Sequence, residues 1–156
     1  MEKIVGIGEY AISDNENDKI KTFALGSCVA VTVFSPLRKV AGMVHIALPY
    51  SVFPDDDKLK PCYYATSAVP FLVNKICSEY NCSKTDLKIN IIGGAESLRK
   101  DDMFKIGQRN IAVVRQKLKE LNLVYDDSVT GGTYSRTLEM EVSAGKVRIE
   151  SQPMII

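Results

Sequence analysis

The strongest constraint on the fold is a pair of β-branched runs on either side of a short polar segment. Residues 29–34 read VAVTVF, residues 40–46 read VAGMVHI, and the sequence SPLRK separates them. β-Branched residues favour extended strands, and a short polar segment containing proline favours a turn. The sequence therefore predicts an antiparallel hairpin in which Cys28 opens the first strand and His45 lies within the second.

Two helices are expected on the C-terminal side of this hairpin. Apolar residues recur at three- and four-residue intervals from 65 to 80 and again from 106 to 121, which is the spacing of one buried helix face. A strand over residues 87–92, ending in a glycine pair, is predicted between them. Residues 50–60 contain proline and clustered charge, so we expect an exposed loop that could border a cleft.

Both ends of the chain are predicted to be β-rich. A first strand is expected within residues 4–12, and near the C-terminus residues 136–142 and a last strand from Val147 flank a short turn. Roughly seven strands against two helices, with hairpins at both ends, favour a mixed-sheet α/β sandwich over a doubly wound parallel sheet. A length of 156 residues is typical of one domain, so we expect residues 1–156 to form a single domain.

The charge balance and the apolar pattern argue against several classes of partner. Twenty basic and nineteen acidic side chains give a formal net charge of +1, so no overall field attracts nucleic acid or an anionic membrane surface. No apolar stretch reaches the length of a membrane span, and the N-terminus lacks the pattern of a secretory signal peptide. We therefore expect a cytoplasmic protein whose four cysteines are reduced.

His45 is the one histidine of the sequence, so any reaction that needs an imidazole must use it. By position alone, a histidine of this kind is more often a core residue held by a backbone partner. The hairpin changes this balance, because it places the outer ends of its strands side by side and so brings Cys28 and His45 together. A thiol beside an imidazole can exist as a thiolate and imidazolium pair, which is a strong nucleophile at neutral pH.

Three nearby residues extend this candidate site. Gly26 and Ser27 precede Cys28 and allow a tight turn whose amide groups could form an oxyanion hole. Thr22 offers a hydroxyl that could orient the imidazole of His45. The sequence has no C-x-x-C pair and too few histidines for a multi-histidine site, so we expect neither a metal nor another cofactor.

Five short motifs follow one another along the chain. They are TFALGSC over residues 22–28, GMVHIALP over 42–49, IGGA over 92–95, IGQRN over 106–110, and Gly131-Gly132 with Arg136. In order and approximate spacing, this set resembles the signature of the CheD family of chemoreceptor glutamine deamidases. Ala41 and Ser135 depart from the residues usual in the family at their positions, and residues 96–103 differ from its usual stretch.

The resemblance implies a cysteine amidohydrolase with Cys28 as nucleophile, His45 as its acid/base partner and Thr22 as the third catalytic residue. It implies that a receptor glutamine becomes a glutamate through a thioester. The implied partners are the cytoplasmic helical domain of a chemoreceptor and a CheC-type phosphatase. Phe104 is our candidate for an exposed contact with a partner, and a core anchor before the second helix is an equal alternative.

Two other functions stay open from the sequence. One is a non-catalytic chemotaxis adaptor that acts only by binding the receptor or the phosphatase. The other is a protease or transglutaminase that uses the same cysteine and histidine, and differs in which amide is attacked or in what the thioester meets. The products of the reaction distinguish these functions, because cleavage, amine incorporation and deamidation change the substrate mass differently.

Overall fold

The structure is a computed structural model that describes residues 1–97 and 104–154, and these residues form nine strands and two long helices. The strands are β1 (Glu2–Ile4), β2 (Tyr10–Ser13), β3 (Lys19–Leu25), β4 (Val29–Ser35), β5 (Val40–Ile46), β6 (Lys88–Gly93), β7 (Asp126–Thr130), β8 (Tyr134–Glu141) and β9 (Val147–Pro153). The helices are the one-turn α1 (Asp56–Leu59), α2 (Ala65–Glu79) and α3 (Ile106–Glu120), with a 3-10 turn at Lys84–Asp86.

The strands form two sheets. The five-stranded sheet has the order β2-β5-β4-β6-β7, and the four-stranded sheet has the order β1-β3-β8-β9. Two strand pairs, β1 with β3 and β6 with β7, are parallel, and the other pairs are antiparallel. The predicted mixed-sheet α/β sandwich is confirmed.

The predicted central hairpin is confirmed as β4 and β5. Its register runs from Ser35 opposite Val40 to Val29 opposite Ile46, and every residue of both strands is buried. Strands that are covered on both faces have no solvent side, so they need no polar alternation. This double burial explains why the two runs are almost continuously apolar.

One face of the five-stranded sheet packs against α2 and α3, and we call this the helix-facing layer. The predicted helix periodicity is confirmed, since each helix buries one stripe against the sheet. The buried stripe of α2 is Ala65, Ala68, Val69, Leu72, Val73 and Ile76. The buried stripe of α3 is Gly107, Asn110, Ile111, Val114 and Leu118.

The opposite face of the five-stranded sheet packs against the four-stranded sheet, and we call this the inter-sheet layer. Its apolar core is Val5, Ile20, Leu25, Ala30, Phe34, Ala41, Met43, Ile92, Leu138, Met140 and Val142. The two layers share β4 and β5, whose successive side chains point alternately into one and the other. A residue's position along these strands therefore decides which layer it enters.

The prediction of one strand within residues 4–12 is wrong. Two short strands occupy this region, β1 in the four-stranded sheet and β2 in the five-stranded sheet, and the chain crosses between the sheets at residues 5–9. The crossing includes Gly8 at φ 76°, a conformation that favours glycine. Of the two predicted hairpins, the one nearer the N-terminus is the β4–β5 hairpin described above, and the C-terminal hairpin of β8 and β9 is confirmed as well.

Candidate active site

Thr22 and His45 meet across the inter-sheet layer. Thr22 lies on β3 and His45 on β5, and both side chains are buried, at 0% and 3% exposure. The Thr22 Oγ1 and His45 Nδ1 atoms are 2.7 Å apart, which is a hydrogen-bond distance. The structure therefore brings together two of the candidate residues that lie in different sheets.

The backbone of the crossing segment fixes the tautomer of His45. The Thr22 hydroxyl donates its one hydrogen to the Val5 carbonyl at 2.7 Å, and a carbonyl can only accept. Thr22 Oγ1 must then accept the hydrogen bond from Nδ1–H of His45. This assignment leaves Nε2 with a free lone pair, and Nε2 has no hydrogen-bond partner among the described residues.

Cys28 lies on the same face of the hairpin as His45. It directly precedes β4, in which Ala30 pairs with His45, and side chains two residues apart on a strand point the same way. Cys28 is half-buried and packs against the inter-sheet core. Cys28 and His45 are thus diagonal neighbours across the hairpin, and the Cα atoms of such neighbours are about 7–8 Å apart.

Burial favours the neutral forms of both side chains. It raises the pKa of the Cys28 thiol and lowers the pKa of the His45 imidazole, the latter opposed in part by the Val5 carbonyl. The thiolate and imidazolium pair expected from the sequence is therefore not the favoured resting state. A neutral imidazole with a free Nε2 is instead suited to take the thiol proton as attack begins.

All three carbonyl groups of the turn formed by Gly26, Ser27 and Cys28 accept hydrogen bonds from other parts of the protein. The donors to these three carbonyls, in order, are the Ala95 N–H, Asn110 Nδ2 and the Gly94 N–H, at 2.8, 3.0 and 2.8 Å. Within the described ranges, no acceptor is found for the N–H groups of the same three residues. The turn therefore presents unused donors beside the thiol, as the predicted oxyanion hole requires.

Gly93 and Gly94 allow the loop after β6 to approach this turn. A Cβ atom at Gly93 would lie 2.5 Å from the Cys28 carbonyl oxygen, and one at Gly94 would lie 2.5 Å from Ile111. Both residues have positive φ, 109° and 68°. Larger residues would therefore push the loop away and break its hydrogen bonds to the turn.

Exposed apolar residues lie on the segments next to this site. Phe104 lies two residues before α3 and is 70% exposed, so the alternative that it is a core anchor is wrong. Val52 and Phe53 are also exposed, on the segment that follows the His45 strand. The predicted loop there is confirmed as largely exposed, although α1 gives it one helical turn.

Among the residues that the structure describes, the other cysteines and the remaining ligand-type residues form no metal site. Cys62 and Cys82 are buried and Cys77 is half-buried, and all four cysteines are free thiols. In the part of the chain that the structure describes, no three His, Cys, Asp or Glu residues are grouped as metal ligands. A search of the same residues finds no helix long and apolar enough to span a membrane.

Two groups beside the candidate residues, the Val5 carbonyl and the Asn110 side chain, were not predicted from the sequence. A backbone carbonyl has no signal of its own, because any residue could supply it. Asn110 does carry a signal, since it is a polar residue on the buried stripe of α3. A buried amide among apolar neighbours requires hydrogen-bond partners, so an asparagine at this position indicates a specific polar contact.

Known relatives cover nearly the whole chain. A family model described as CheD chemotactic sensory transduction matches residues 47–151. The probable chemoreceptor glutamine deamidase CheD 1 of Syntrophus aciditrophicus is 36% identical over 150 residues, which are 95% of this chain and 92% of the relative. The chemoreceptor glutamine deamidase CheD of Thermotoga maritima is 37% identical over 149 residues, which are 96% of this chain and 91% of the relative.

One solved structure has a similar fold. It is the crystal structure of the hypothetical protein YfiH of Bacillus licheniformis, with a TM-score of 0.53 and 12% sequence identity. The similarity covers 78% of this chain and 51% of that chain, so this protein corresponds to about half of the other. At this identity the similarity shows the arrangement of sheets and helices alone.

Proposed function

The chain belongs to the CheD family, and on that premise we propose that it is a single-domain chemoreceptor glutamine deamidase that uses Cys28, His45 and Thr22. The observation that carries this proposal is the buried hydrogen-bond chain from the Val5 carbonyl through Thr22 to His45, which leaves Nε2 without a partner among the described residues, on the hairpin face that Cys28 shares. Such an arrangement supports a nucleophile, a base and an orienting group. No step of the reaction requires a cofactor.

In the first half of the proposed reaction, the Cys28 sulfur attacks the side-chain amide carbon of a receptor glutamine. His45 Nε2 takes the thiol proton, and the N–H groups of the Gly26, Ser27 and Cys28 turn stabilise the oxyanion. The carbon–nitrogen bond then breaks, and His45 returns the proton to the departing ammonia. A thioester between Cys28 and the glutamine side chain remains.

In the second half, water hydrolyses the thioester. His45 Nε2 takes a proton from water as its oxygen attacks the thioester carbon, and a second oxyanion forms at the same turn. The carbon–sulfur bond breaks, and the Cys28 sulfur recovers its proton from His45. The net reaction consumes one water and converts glutamine to glutamate plus ammonia, so the receptor gains a negative charge.

The proposed partners are the cytoplasmic helical domain of a chemoreceptor and a CheC-type phosphatase. The first partner places the protein in the cytoplasm, and the second would regulate access to the same surface. Phe104 is our candidate contact for a partner, because burying an exposed aromatic side chain in an interface contributes binding free energy.

We expect Phe104→Ser to raise the dissociation constant for a proposed partner, the receptor domain or the phosphatase, by about tenfold. Titration of that partner into the protein measures the change. Val124→Ser, at another exposed apolar residue, should leave the dissociation constant unchanged.

The experiment that tests the function is incubation of the purified protein with a chemoreceptor cytoplasmic fragment, followed by residue-level mass analysis. Conversion of glutamine to glutamate that both Cys28→Ala and His45→Ala abolish supports the deamidase. Absence of conversion on several cognate receptors would indicate an adaptor that acts only by binding. Cleavage of the fragment, or incorporation of an added amine, would indicate a protease or a transglutaminase.

A further inference from the structure

Asn110 joins the two chain segments that carry the nucleophile and the base. Its side chain is fully buried on α3, and its Nδ2 donates to the Ser27 carbonyl and to the Ala47 carbonyl, each at 3.0 Å. Ser27 directly precedes Cys28, and Ala47 lies two residues after His45. One side chain thereby connects the nucleophile turn to the end of β5.

The hydrogen bond to Ser27 also sets the direction of the Cys28 N–H. The Ser27 carbonyl and the Cys28 N–H belong to one planar trans peptide, so they point in opposite directions. Because Asn110 holds the carbonyl toward α3, the N–H points away from α3. No acceptor for this N–H is found among the residues that the structure describes, which leaves it available to a reacting group.

The geometry requires the two donors of a primary amide. Both groups that Asn110 contacts are carbonyls, and an amide nitrogen supplies two hydrogens, whereas a carboxylate of the same size supplies none. The remaining atom, Oδ1, is buried and has no partner among the described residues. A buried carbonyl without a partner costs stability, so packing alone does not account for an asparagine here.

We propose that Asn110 is a positioning residue that orients the Ser27–Cys28 peptide so that the Cys28 N–H stabilises the oxyanion. This inference rests on the proposed deamidase function, and it assigns to α3 a part in the chemistry. Asn110 itself offers no donor to a reacting atom, because its Nδ2 group already donates to the Ser27 and Ala47 carbonyls. It acts only through the peptide that it holds.

The test compares two reactions of Cys28 in the Asn110→Asp protein. Deamidation of a receptor fragment forms an oxyanion, whereas alkylation by iodoacetamide displaces iodide at sulfur and forms none. We expect kcat for deamidation to fall by about 10- to 100-fold with little change in KM, and the alkylation rate to stay within about twofold of wild type. Asn110→Ala, which introduces no carboxylate, should likewise lower kcat for deamidation and keep the alkylation rate.

Two substitutions on the same helix serve as matched controls. Gln116→Glu makes the same amide-to-carboxylate change at an exposed position, and Val114→Ala removes buried volume without a hydrogen bond. Both should keep the wild-type kcat at temperatures where the proteins are folded. Thermal unfolding of every variant shows whether a loss of rate is merely a loss of folded protein.

The outcomes separate this inference from the function on which it rests. Wild-type protein that deamidates while both Asn110 variants keep its kcat overturns the inference and leaves the deamidase standing. A parallel loss of alkylation and deamidation, or failure of both variants to fold, overturns it as well, because the side chain would then be structural. Wild-type protein that does not deamidate overturns both proposals together.

Discussion

The two faces of the β4–β5 hairpin are equally buried but differ in chemistry. Apart from Ser35 at the end of β4, the side chains on the helix-facing side are aliphatic, namely Val29, Val31, Val33, Val40, Val44 and Ile46. The inter-sheet side of the same strands includes Thr32 and His45, and His45 meets Thr22 from the opposite sheet. The same two strands therefore stabilise the fold on one face and carry a proposed catalytic residue on the other.

The difference shows how a site can be buried without weakening the whole core. A buried polar group costs free energy unless it is hydrogen-bonded, and each one also reduces apolar burial. Here His45 lies on the inter-sheet face of the hairpin, where Thr22 of the second sheet supplies its partner. The helix-facing layer is mainly apolar, with Ser35 and Asn110 as buried polar residues, so the two layers should respond differently to substitution.

Among the substitutions that test the difference between the two layers, Thr22→Val is expected to have the largest effect. The change keeps the size of the side chain but removes the acceptor for His45 Nδ1–H, so the imidazole loses its fixed tautomer and orientation. We expect kcat for deamidation to fall by about 1,000-fold, measured by ammonia release. Thr32→Val is the control and should keep the wild-type rate, because the Thr32 hydroxyl is buried in the same layer but has no partner among the described residues. Full activity of Thr22→Val would contradict the orienting role.

The complementary change lies in the helix-facing layer. Leu72 on α2 is completely buried there, and Leu72→Ala should lower the free energy of unfolding by about 2–5 kcal/mol. The kcat of the folded fraction should stay within about twofold of wild type, because no hydrogen bond of the site involves α2. Urea unfolding and rate measurements on the same preparation check both numbers. A kcat that falls with stability would show that the layers are coupled.

The pH dependence sharpens the comparison further, since only the inter-sheet layer contains the titrating pair. The pKa of His45 is lowered, so Nε2 is unprotonated and available above that pKa, and kcat/KM should fall only at a pH below the usual histidine range. The pKa of Cys28 is raised, so alkylation should accelerate up to a pH above the usual thiol range. Leu72→Ala should leave the pH dependence of kcat/KM and of the alkylation rate unchanged. A shift in either pH profile would show that the two layers are coupled.

The smallest effect is expected on the outer face of the sheet that carries Thr22. Glu139 on β8 lies within 3.2, 3.1 and 2.9 Å of Lys19, Lys21 and Arg148, and chiefly hydrogen bonds from Lys21 and Lys19 lower its pKa to about 2. A carboxyl with a lowered folded-state pKa stabilises the protein above its unfolded-state pKa and loses that contribution as pH falls toward about 2.

Glu139→Gln should therefore reduce the difference in melting temperature between neutral and acidic solution. Glu150→Gln, at another carboxyl of the same sheet, serves as the control. Because the Glu139 cluster is on the outer face and outside the site, kcat should not change in either variant. Melting curves of the wild type and Glu139→Gln that shift equally with pH would show that this cluster contributes nothing to the acid response.

The elements predicted from the sequence are those with an unbroken apolar signal. The hairpin strands are almost continuously apolar because both of their faces are covered, and the two long helices have a regular period because each faces the core on one side. β3 was not predicted, and the reason is visible in KIKTFAL, where the inward position of Thr22 is polar and the outward Phe23 is exposed and apolar. The residue that serves the site thus disrupts the alternation that would have revealed its strand.

The site was predictable only where it lies within one hairpin. Register alone places Cys28 and His45 on one face, whereas the contact between Thr22 and His45 crosses from one sheet to the other. Asn110 reaches Ser27 over 83 residues of sequence, and no local pattern indicates such a distance. The position of Thr22 near Cys28 and the family resemblance both indicated Thr22, but neither gave Asn110 or Val5 a part in the site.

The neighbours of β3 have a consequence for the protein during its synthesis. β3 carries Thr22 and lies between β1 and β8, and β8 spans Tyr134–Glu141, about 90 residues after His45 along the sequence. A nascent chain on the ribosome thus holds Cys28 and His45 well before the strand that pairs with β3 at Thr22 has been made. In the proposed mechanism the newly made enzyme therefore stays inert toward the glutamines around it until β8 has left the ribosome and paired.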